Sequence, residues 1–385
     1  MNNRINRHVK IVCTLGPASS SPEVIEKLLN AGLDIARLNL NYGTIESHTE
    51  LINIVRSLSK RMNLNTGILL DLPGSKRFSG NTKTIFGPHM EFAIKQQADY
   101  IALSFIRSAG LAQEAGELLR EMGSDIPIIV KIEKAQSLAE SDSILNVCDG
   151  IMVARGDLAS DISIEKVPIA QKRLIKATNG RGKPVITATQ MLESMVRSPS
   201  PTRAEATDVA NAVLDGTDAV MLSEETAMGT YPDKAVETMV KIIREAEAEL
   251  PYYTADREGW VGVLPEISDA TARAACQIAF QVQAKAIVAF TSSGTTARRV
   301  SKYRPGQPIL AVTPHETVAR RLALIWGVTA SQKAAPPTLT EVFESAVAIA
   351  QQRGVAAKGD LLVITAGIPP LTKPGGTNLI KVQQV

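Results

Sequence analysis

Short apolar runs recur through the first part of this chain at a coarse, nearly regular interval. They begin near Val9, Ile35, Gly67, Tyr100, Pro127, Gly150, Pro184 and Ala219, 23 to 35 residues apart. That interval holds one buried strand and one helix. The intervening segments carry helical patterns. Ser21-Pro22-Glu23 offers a capping residue and a proline in the first turn of one helix. Leu111–Met122 and Ile164–Asn179 read as two others. Eight strand-plus-helix units in succession predict an α/β fold of the (β/α)8 TIM-barrel type. Its active site then lies at the C-terminal ends of the strands.

Composition agrees with that architecture. Hydrophobic residues make up 44% of the 385 but aromatics only 4%, so aliphatic side chains must fill the cores, as in parallel sheets. The net charge of +3 is small and its lysines and arginines are scattered, which argues against a nucleic-acid partner. Cys13, Cys148 and Cys276 are widely spaced, as free thiols of a reducing compartment would be. The start of the chain has no signal-like apolar core and no run approaches membrane length, so a soluble cytoplasmic protein without a membrane partner is expected.

The length suggests more than one domain. The barrel is assigned to residues 1–250 and a polar linker to 251–267. A smaller open α/β sheet domain is assigned to 268–385, with strands at Ala286–Phe290, Pro308–Val312, near Val328, Leu361–Thr365 and Asn378–Val382.

The ends of the eight runs carry polar groups: Thr14, Arg37 with Asn39, Asp71, Ser104, Lys131 with Glu133, Arg155 with Asp157, Thr187 with Thr189, and Ser223 with Glu224. Core packing does not account for such a set. Lys131 and Glu133 stand two apart, so they project from the same face of their strand. A cation, two carboxylates and a hydroxyl on neighbouring strand ends can hold a divalent metal and a small oxyanion.

These strand ends also carry a family resemblance. Ile11-Val12-Cys13-Thr14-Leu15-Gly16-Pro17-Ala18-Ser19 resembles the opening of pyruvate kinases. Arg37-Leu38-Asn39, Leu70-Asp71-Leu72-Pro73-Gly74, Ala102-Leu103-Ser104-Phe105 and Lys131-Ile132-Glu133 resemble further motifs of that family, in its order. So do Met152-Val153-Ala154-Arg155-Gly156-Asp157-Leu158, Ala188-Thr189-Gln190-Met191-Leu192-Glu193-Ser194-Met195, Pro201-Thr202-Arg203-Ala204-Glu205 and Asp208-Val209-Ala210-Asn211-Ala212-Val213.

The resemblance implies phosphoryl transfer from phosphoenolpyruvate to ADP, giving pyruvate and ATP through an enolate. It implies Glu133 and Asp157 as ligands of Mg²⁺ (or Mn²⁺), a hard ion suited to oxygen donors. Lys131 and Arg37 are implied at the transferring phosphoryl group, where positive charge offsets developing negative charge. Thr189 is implied in proton delivery to the enolate carbon. Gly156, Asp157, Thr189 and Ser104 are implied around the substrate. Asn39, Asn41 and Asp71 resemble the monovalent-cation site, with Lys76 as a replacement positive charge, so K⁺ is expected not to be required. Thr291, Ser292, Ser293, Gly294 and Thr296 resemble an effector loop for a sugar phosphate, at a helix N-terminus suited to anions. Family members are commonly homotetramers.

The chain departs from the family most clearly after Gly74. A β-rich lid domain is expected there, but Ser75–Met90 reads as a short loop or hairpin, followed by a helix at Glu91–Gln97. Phe78 stands where a phosphate-contacting arginine is usual, with Arg77 beside it, and His89 is expected in the loop. A lid excludes water during phosphoryl transfer. Without it, Lys131 and Glu133 are expected to face solvent and kinase activity to be impaired or altered. Two other functions remain open: a metal-dependent lyase or enolising enzyme acting on an α-keto acid such as oxaloacetate, and a non-catalytic sugar-phosphate sensor.

Overall fold

The computed structural model describes residues 5, 7–74, 81–250, 264–368 and 376–385. They form two compact units. One contains Val9–Asn179 and Lys183–Ala248; the other contains Met1–His8, Gly180–Gly182 and Glu249–Val385. His8 therefore belongs with the second unit rather than the barrel, and its ring stacks on Trp326 with centroids 4.4 Å apart.

The first unit is a closed barrel of eight parallel strands: β1 (Lys10–Thr14), β2 (Ile35–Asn39), β3 (Gly67–Leu72), β4 (Tyr100–Leu103), β5 (Ile128–Ile132), β6 (Gly150–Ala154), β7 (Val185–Ala188) and β8 (Ala219–Leu222). β1 pairs with both β2 and β8, which closes the ring. Each strand is short and buried nearly throughout, as a sheet covered by helices requires. Register sets the mouth: Asn39 stands opposite Asp71, Leu72 opposite Leu103, and Lys131 opposite Met152, so the polar strand ends form one rim.

The opposite end of the barrel shows a fourfold pattern that the sequence reading missed. Asp34, Asp99, Asp149 and Asp218 each precede an even-numbered strand. Each accepts a backbone N–H from the odd-numbered strand before it, at Ile11, Ile68, Ile128 and Val185, over 2.8–3.0 Å. These carboxylates satisfy strand-end donors that would otherwise lack a partner. The signal is visible in retrospect as an aspartate at the start of Asp34-Ile35-Ala36, Asp99-Tyr100-Ile101, Asp149-Gly150-Ile151 and Asp218-Ala219-Val220.

The connecting helices start where capping chemistry allows. Ser21 accepts the N–H of Val24 ahead of the helix Pro22–Ala31. Thr202 and Glu205 form a reciprocal capping box ahead of Arg203–Leu214. One expectation is corrected. Residues 82–90 are not loop: a helix spans Thr82–Lys95, with the Asn81 side chain accepting the N–H of Thr84 at 2.8 Å. Gly87-Pro88 reads as a turn in sequence, yet glycine before proline lacks the Cβ that would clash with the ring, and the helix continues. His89 accordingly sits half-buried on this helix. Residues 75–80, which include Ser75, Lys76, Arg77 and Phe78, lie outside the described residues.

The second unit is a five-stranded sheet in the order β11-β10-β9-β12-β13, built from β9 (Ala286–Phe290), β10 (Ile309–Thr313), β11 (Val328–Gln332), β12 (Leu361–Gly367) and β13 (Thr377–Gln384). Only β13 runs antiparallel, paired with β12. Alternation along β9 splits the core. Ile287 and Ala289 pack with Ala272 and Cys276 of the helix Ile267–Gln281. Val288 and Phe290 pack with Val342 and Ile349 of the helix Leu339–Gln352 on the other face. The expected linker at 251–267 falls largely outside the described residues, and Ile267 already begins a helix. Among the described residues no helix is long and apolar enough to cross a membrane.

Candidate active site

At the barrel mouth, β2 and β3 deliver Arg37 and Asp71 side by side. Arg37 donates to Asp71 Oδ2 through Nη2 at 2.6 Å and Nε at 3.0 Å, and to Thr14 Oγ1 through Nη1 at 2.7 Å. Thr14 in turn donates to the carbonyl of Leu222, tying β1 to β8. Asp71 is completely buried. Burial alone would raise the pKa of its carboxyl, but the Arg37 guanidinium and the Lys131 ammonium outweigh that and hold it below the ordinary range.

Lys131, on β5, places its ammonium among three acceptors: Glu133 Oε1 at 2.7 Å, Ser104 Oγ at 3.0 Å and Asp71 Oδ2 at 3.4 Å. Ser104 takes the hydrogen bond, and the two carboxylates pair with the ammonium as ions. Ser104, just past β4, donates its own hydroxyl hydrogen bond to Asp71 Oδ1 at 3.2 Å. Burial would lower the pKa of Lys131; Asp71 and Glu133 overcome it and keep the ammonium protonated above its usual range. The expectation that Lys131 and Glu133 face solvent is wrong. Their side chains are only 11% and 1% exposed, because neighbouring strand ends close over them.

Glu133 lies one residue past β5, on the same side as Lys131, as the two-residue spacing predicts. Its Oε2 accepts the N–H of Phe105 at 2.9 Å, a contact that the sequence reading missed. Phe105 adopts a φ of +60° to present that N–H. Burial raises the pKa of Glu133 more than Lys131 and Phe105 lower it, and the charge of Asp157 adds to the rise. Asp157 is exposed, in the first turn of the helix Arg155–Ala159. Glu133 and Asp157 thus feel each other's charge, a situation that a hard dication relieves. Among the described residues no group of three or more His, Cys, Asp or Glu forms a metal cage. An ion held by two carboxylates keeps positions free for substrate oxygens, as Mg²⁺ sites commonly do.

Thr189 follows β7 with φ +69°, and Gln190 follows with φ +53°. A left-handed β-branched residue costs roughly 1–3 kcal/mol unless its surroundings hold it. Here they do. The Gly156 N–H donates to Thr189 Oγ1 at 2.8 Å, and that hydroxyl donates to the carbonyl of Ala188 at 2.6 Å. Arg155 binds the carbonyls of both Ala188 and Thr189. At the far end of the segment, Glu225 accepts the N–H groups of Leu192 and Ser223. Burial pushes the Glu225 carboxyl above its ordinary pKa. Thr187, by contrast, is buried and bonds to Thr217, away from the rim.

The remaining expected residues fall into two places. In the barrel, Asn39 Oδ1 accepts both the N–H and the side-chain amide of Asn41, which is exposed, while Asp71 is engaged by Arg37, Ser104 and Lys131. Lys76 lies outside the described residues. A cavity of about 890 Å³ opens beside Arg37, lined among others by Thr14, Gly16, Asn39, Tyr42 and Glu224.

In the second unit, Thr291 Oγ1 accepts the N–H of Gly294, whose φ of +85° bends the chain into the helix Thr295–Lys302. Ser292 meets His315 at 3.3 Å and Ser293 meets Thr295 at 2.9 Å. Thr296 is buried and bonds to Thr377.

Comparison with known proteins agrees with this geometry. The family model described as "Pyruvate kinase, barrel domain" matches residues 6–88 and 87–236, and "Pyruvate kinase, alpha/beta domain" matches 269–383. A pyruvate kinase of Staphylococcus epidermidis (strain ATCC 35984) is 38% identical over 98% of this chain and 80% of its own length. One from Staphylococcus aureus (strain MRSA252) is 37% identical with the same coverage. The matched stretch is 472 residues long against 385 in the whole chain, so these relatives carry additional residues within it. The barrel match breaks at 87–88, between β3 and β4.

Proposed function

Because this chain belongs to the pyruvate kinase family, we propose that it transfers the phosphoryl group of phosphoenolpyruvate to ADP and releases pyruvate. The observation that carries this reading is the alternating cluster Arg37–Asp71–Lys131–Glu133 at the barrel mouth. Two cations held in place by a shared carboxylate are pre-organised for the charge that develops on a transferring phosphoryl group. Glu133 and Asp157 would hold a divalent ion, which supplies Lewis-acid stabilisation of the enolate oxygen. Ser104, bonded to Lys131 and Asp71, orients the lysine beside the substrate, where its own hydroxyl oxygen keeps a lone pair. The Thr189 hydroxyl serves the enolate carbon.

The nucleotide's place is the cavity beside Arg37. Its size falls within the range of small-molecule sites. Tyr42 stands at its edge with 74% of its surface exposed, available to stack on a base. The connection from β3 to the helix Thr82–Lys95 covers only residues 73–81. That brevity, with the position of the break in the family match, supports a reduced lid. A reduced lid leaves the nucleotide more open to water and slows phosphoryl transfer.

The deciding measurement is pyruvate formation from phosphoenolpyruvate and Mg²⁺, with and without ADP. ADP-dependent product supports the reading. Pyruvate from oxaloacetate alone, abolished by Glu133→Gln, would instead favour the lyase. Absence of both activities, with a sugar phosphate raising the melting temperature, would leave a sensor.

The Thr291–Thr296 turn is proposed as an effector-phosphate site. Its support is the Gly294 bend into a helix N-terminus lined by Ser292 and Ser293. Fructose 1,6-bisphosphate should raise the melting temperature or the turnover; no change in either would remove this role.

A further inference from the structure

We propose that Arg155 is the positioning residue for Thr189: anchored by Asp208, its guanidinium clamps two successive carbonyls and holds the threonine hydroxyl at the substrate. The proton-delivery part of this role rests on the pyruvate kinase reading; the clamp does not.

The guanidinium has five N–H groups, and five acceptors meet it. Nε donates to Ala188 O at 3.2 Å. Nη1 reaches Asp208 Oδ1 at 2.7 Å and Gln171 Oε1 at 3.3 Å. Nη2 reaches Thr189 O at 2.6 Å and Met191 Sδ at 2.7 Å. A strand-end arginine in a phosphoryl-transfer site invites assignment to the phosphate. This one has no donor left for it, and it is buried.

Its grip falls on the strained stretch. Thr189 and Gln190 both hold positive φ, which a β-branched residue does not adopt unaided. Charge-assisted bonds to the carbonyls on either side of the Thr189 Cα keep the chain there. Ala188 O also accepts from the Thr189 hydroxyl. To face an enolate the hydroxyl must leave that carbonyl, and sharing the carbonyl with a cation weakens the bond it has to break. In that step the threonine O–H bond breaks as the C–H bond of the pyruvate methyl forms, and solvent returns the proton to the threonine oxygen. A lysine cannot reproduce the clamp, because a point-like ammonium does not span two carbonyls as the planar fork does.

The test compares wild type with Arg155→Met, Arg155→Lys and Asp208→Asn. The first readout is hydrogen–deuterium exchange of the peptide carrying the Gly156 amide, which donates to Thr189. Protection should be lost in Arg155→Met and reduced in Asp208→Asn. Retained protection in Arg155→Met overturns the clamp. The second readout is kinetic. Arg155→Met should lower kcat, and the exchange of solvent deuterium into the pyruvate methyl, by about a hundredfold, the usual cost of misplacing a catalytic group. KM for phosphoenolpyruvate should stay within a few-fold. Asp208→Asn should show the same split more weakly, and it keeps the test open if Arg155→Met does not fold. A rise in KM with kcat intact would place Arg155 in substrate binding and refute the proposal. If wild-type protein shows neither turnover nor methyl exchange, the pyruvate kinase reading and the proton role fall together, while Gly156 protection still decides the clamp.

Discussion

Arg37 directs two N–H groups onto a single oxygen of Asp71, at 2.6 and 3.0 Å, from the neighbouring strand. The same oxygen lies 3.4 Å from Lys131. One fully buried carboxylate therefore fixes both cations of the site, and the ladder that sets Asn39 opposite Asp71 fixes the distance between them.

Asp71→Asn should accordingly do more than weaken catalysis. It leaves two buried cations short of their shared anion, and breaking such a pair costs about 3–5 kcal/mol. Chemical denaturation should show that loss, together with loss of turnover. A stability change below about 1 kcal/mol, the size seen for exposed ion pairs, would show that Asp71 does not hold the cluster together.

Lys131→Met removes the ammonium without touching the carboxylates. Turnover should fall by at least about a hundredfold, as when a transition-state donor is deleted. Mg²⁺ binding, followed by isothermal titration, should persist. Full turnover in this variant would show that Lys131 is not at the phosphoryl group.

Gly74→Ala tests how closely β3 and β4 approach at the rim. A Cβ at residue 74 would stand 2.3 Å from the carbonyl oxygen of Ser104, with no flexible side chain to yield. Overpacking of this kind costs about 1–3 kcal/mol. The displaced Ser104 should take Lys131 with it, so kcat should drop along with the melting temperature.

In the second unit, Asp269 accepts from Lys302, Tyr303 and the N–H of Leu264. Burial would raise the Asp269 pKa, but the Tyr303 hydroxyl, the Leu264 amide and Lys302 together hold it below its ordinary value of 3.8. A carboxyl with a lowered folded-state pKa contributes stability above its unfolded pKa and loses it as the pH falls through the folded one. Asp269→Asn should therefore melt below wild type at pH 7, and the gap should close below pH 3.8. A gap independent of pH would show that charge at Asp269 is not what stabilises this unit.

Replacing K⁺ by Na⁺ or choline should leave turnover unchanged if the charge of Lys76 stands in for the monovalent ion. Stimulation by K⁺ would reassign Asn39, Asn41 and Asp71 to a working cation site.

The barrel was legible because each strand is a continuous apolar run ended by polar groups. The Lys131–Glu133 contact was legible because a two-residue spacing puts both side chains on one face. The helix at 82–90 was not, since Gly87-Pro88 carries the local signature of a turn while the Asn81 cap and buried Phe86 and Met90 favour helix. The role of Arg155 was hidden for another reason: its anchor, Asp208, lies 53 residues away with no periodic relation to it.

By itself, then, the sequence determined the order of the strands, most of the residues at the rim and the family, because these follow from local periodicity and contiguous motifs. Tertiary structure alone decided which of those residues touch. It buried Lys131 and Glu133, turned Thr187 away from the rim, and joined Arg155 to Thr189. Such contacts arise from strand register and barrel closure, which bring together groups that no local interaction links along the chain.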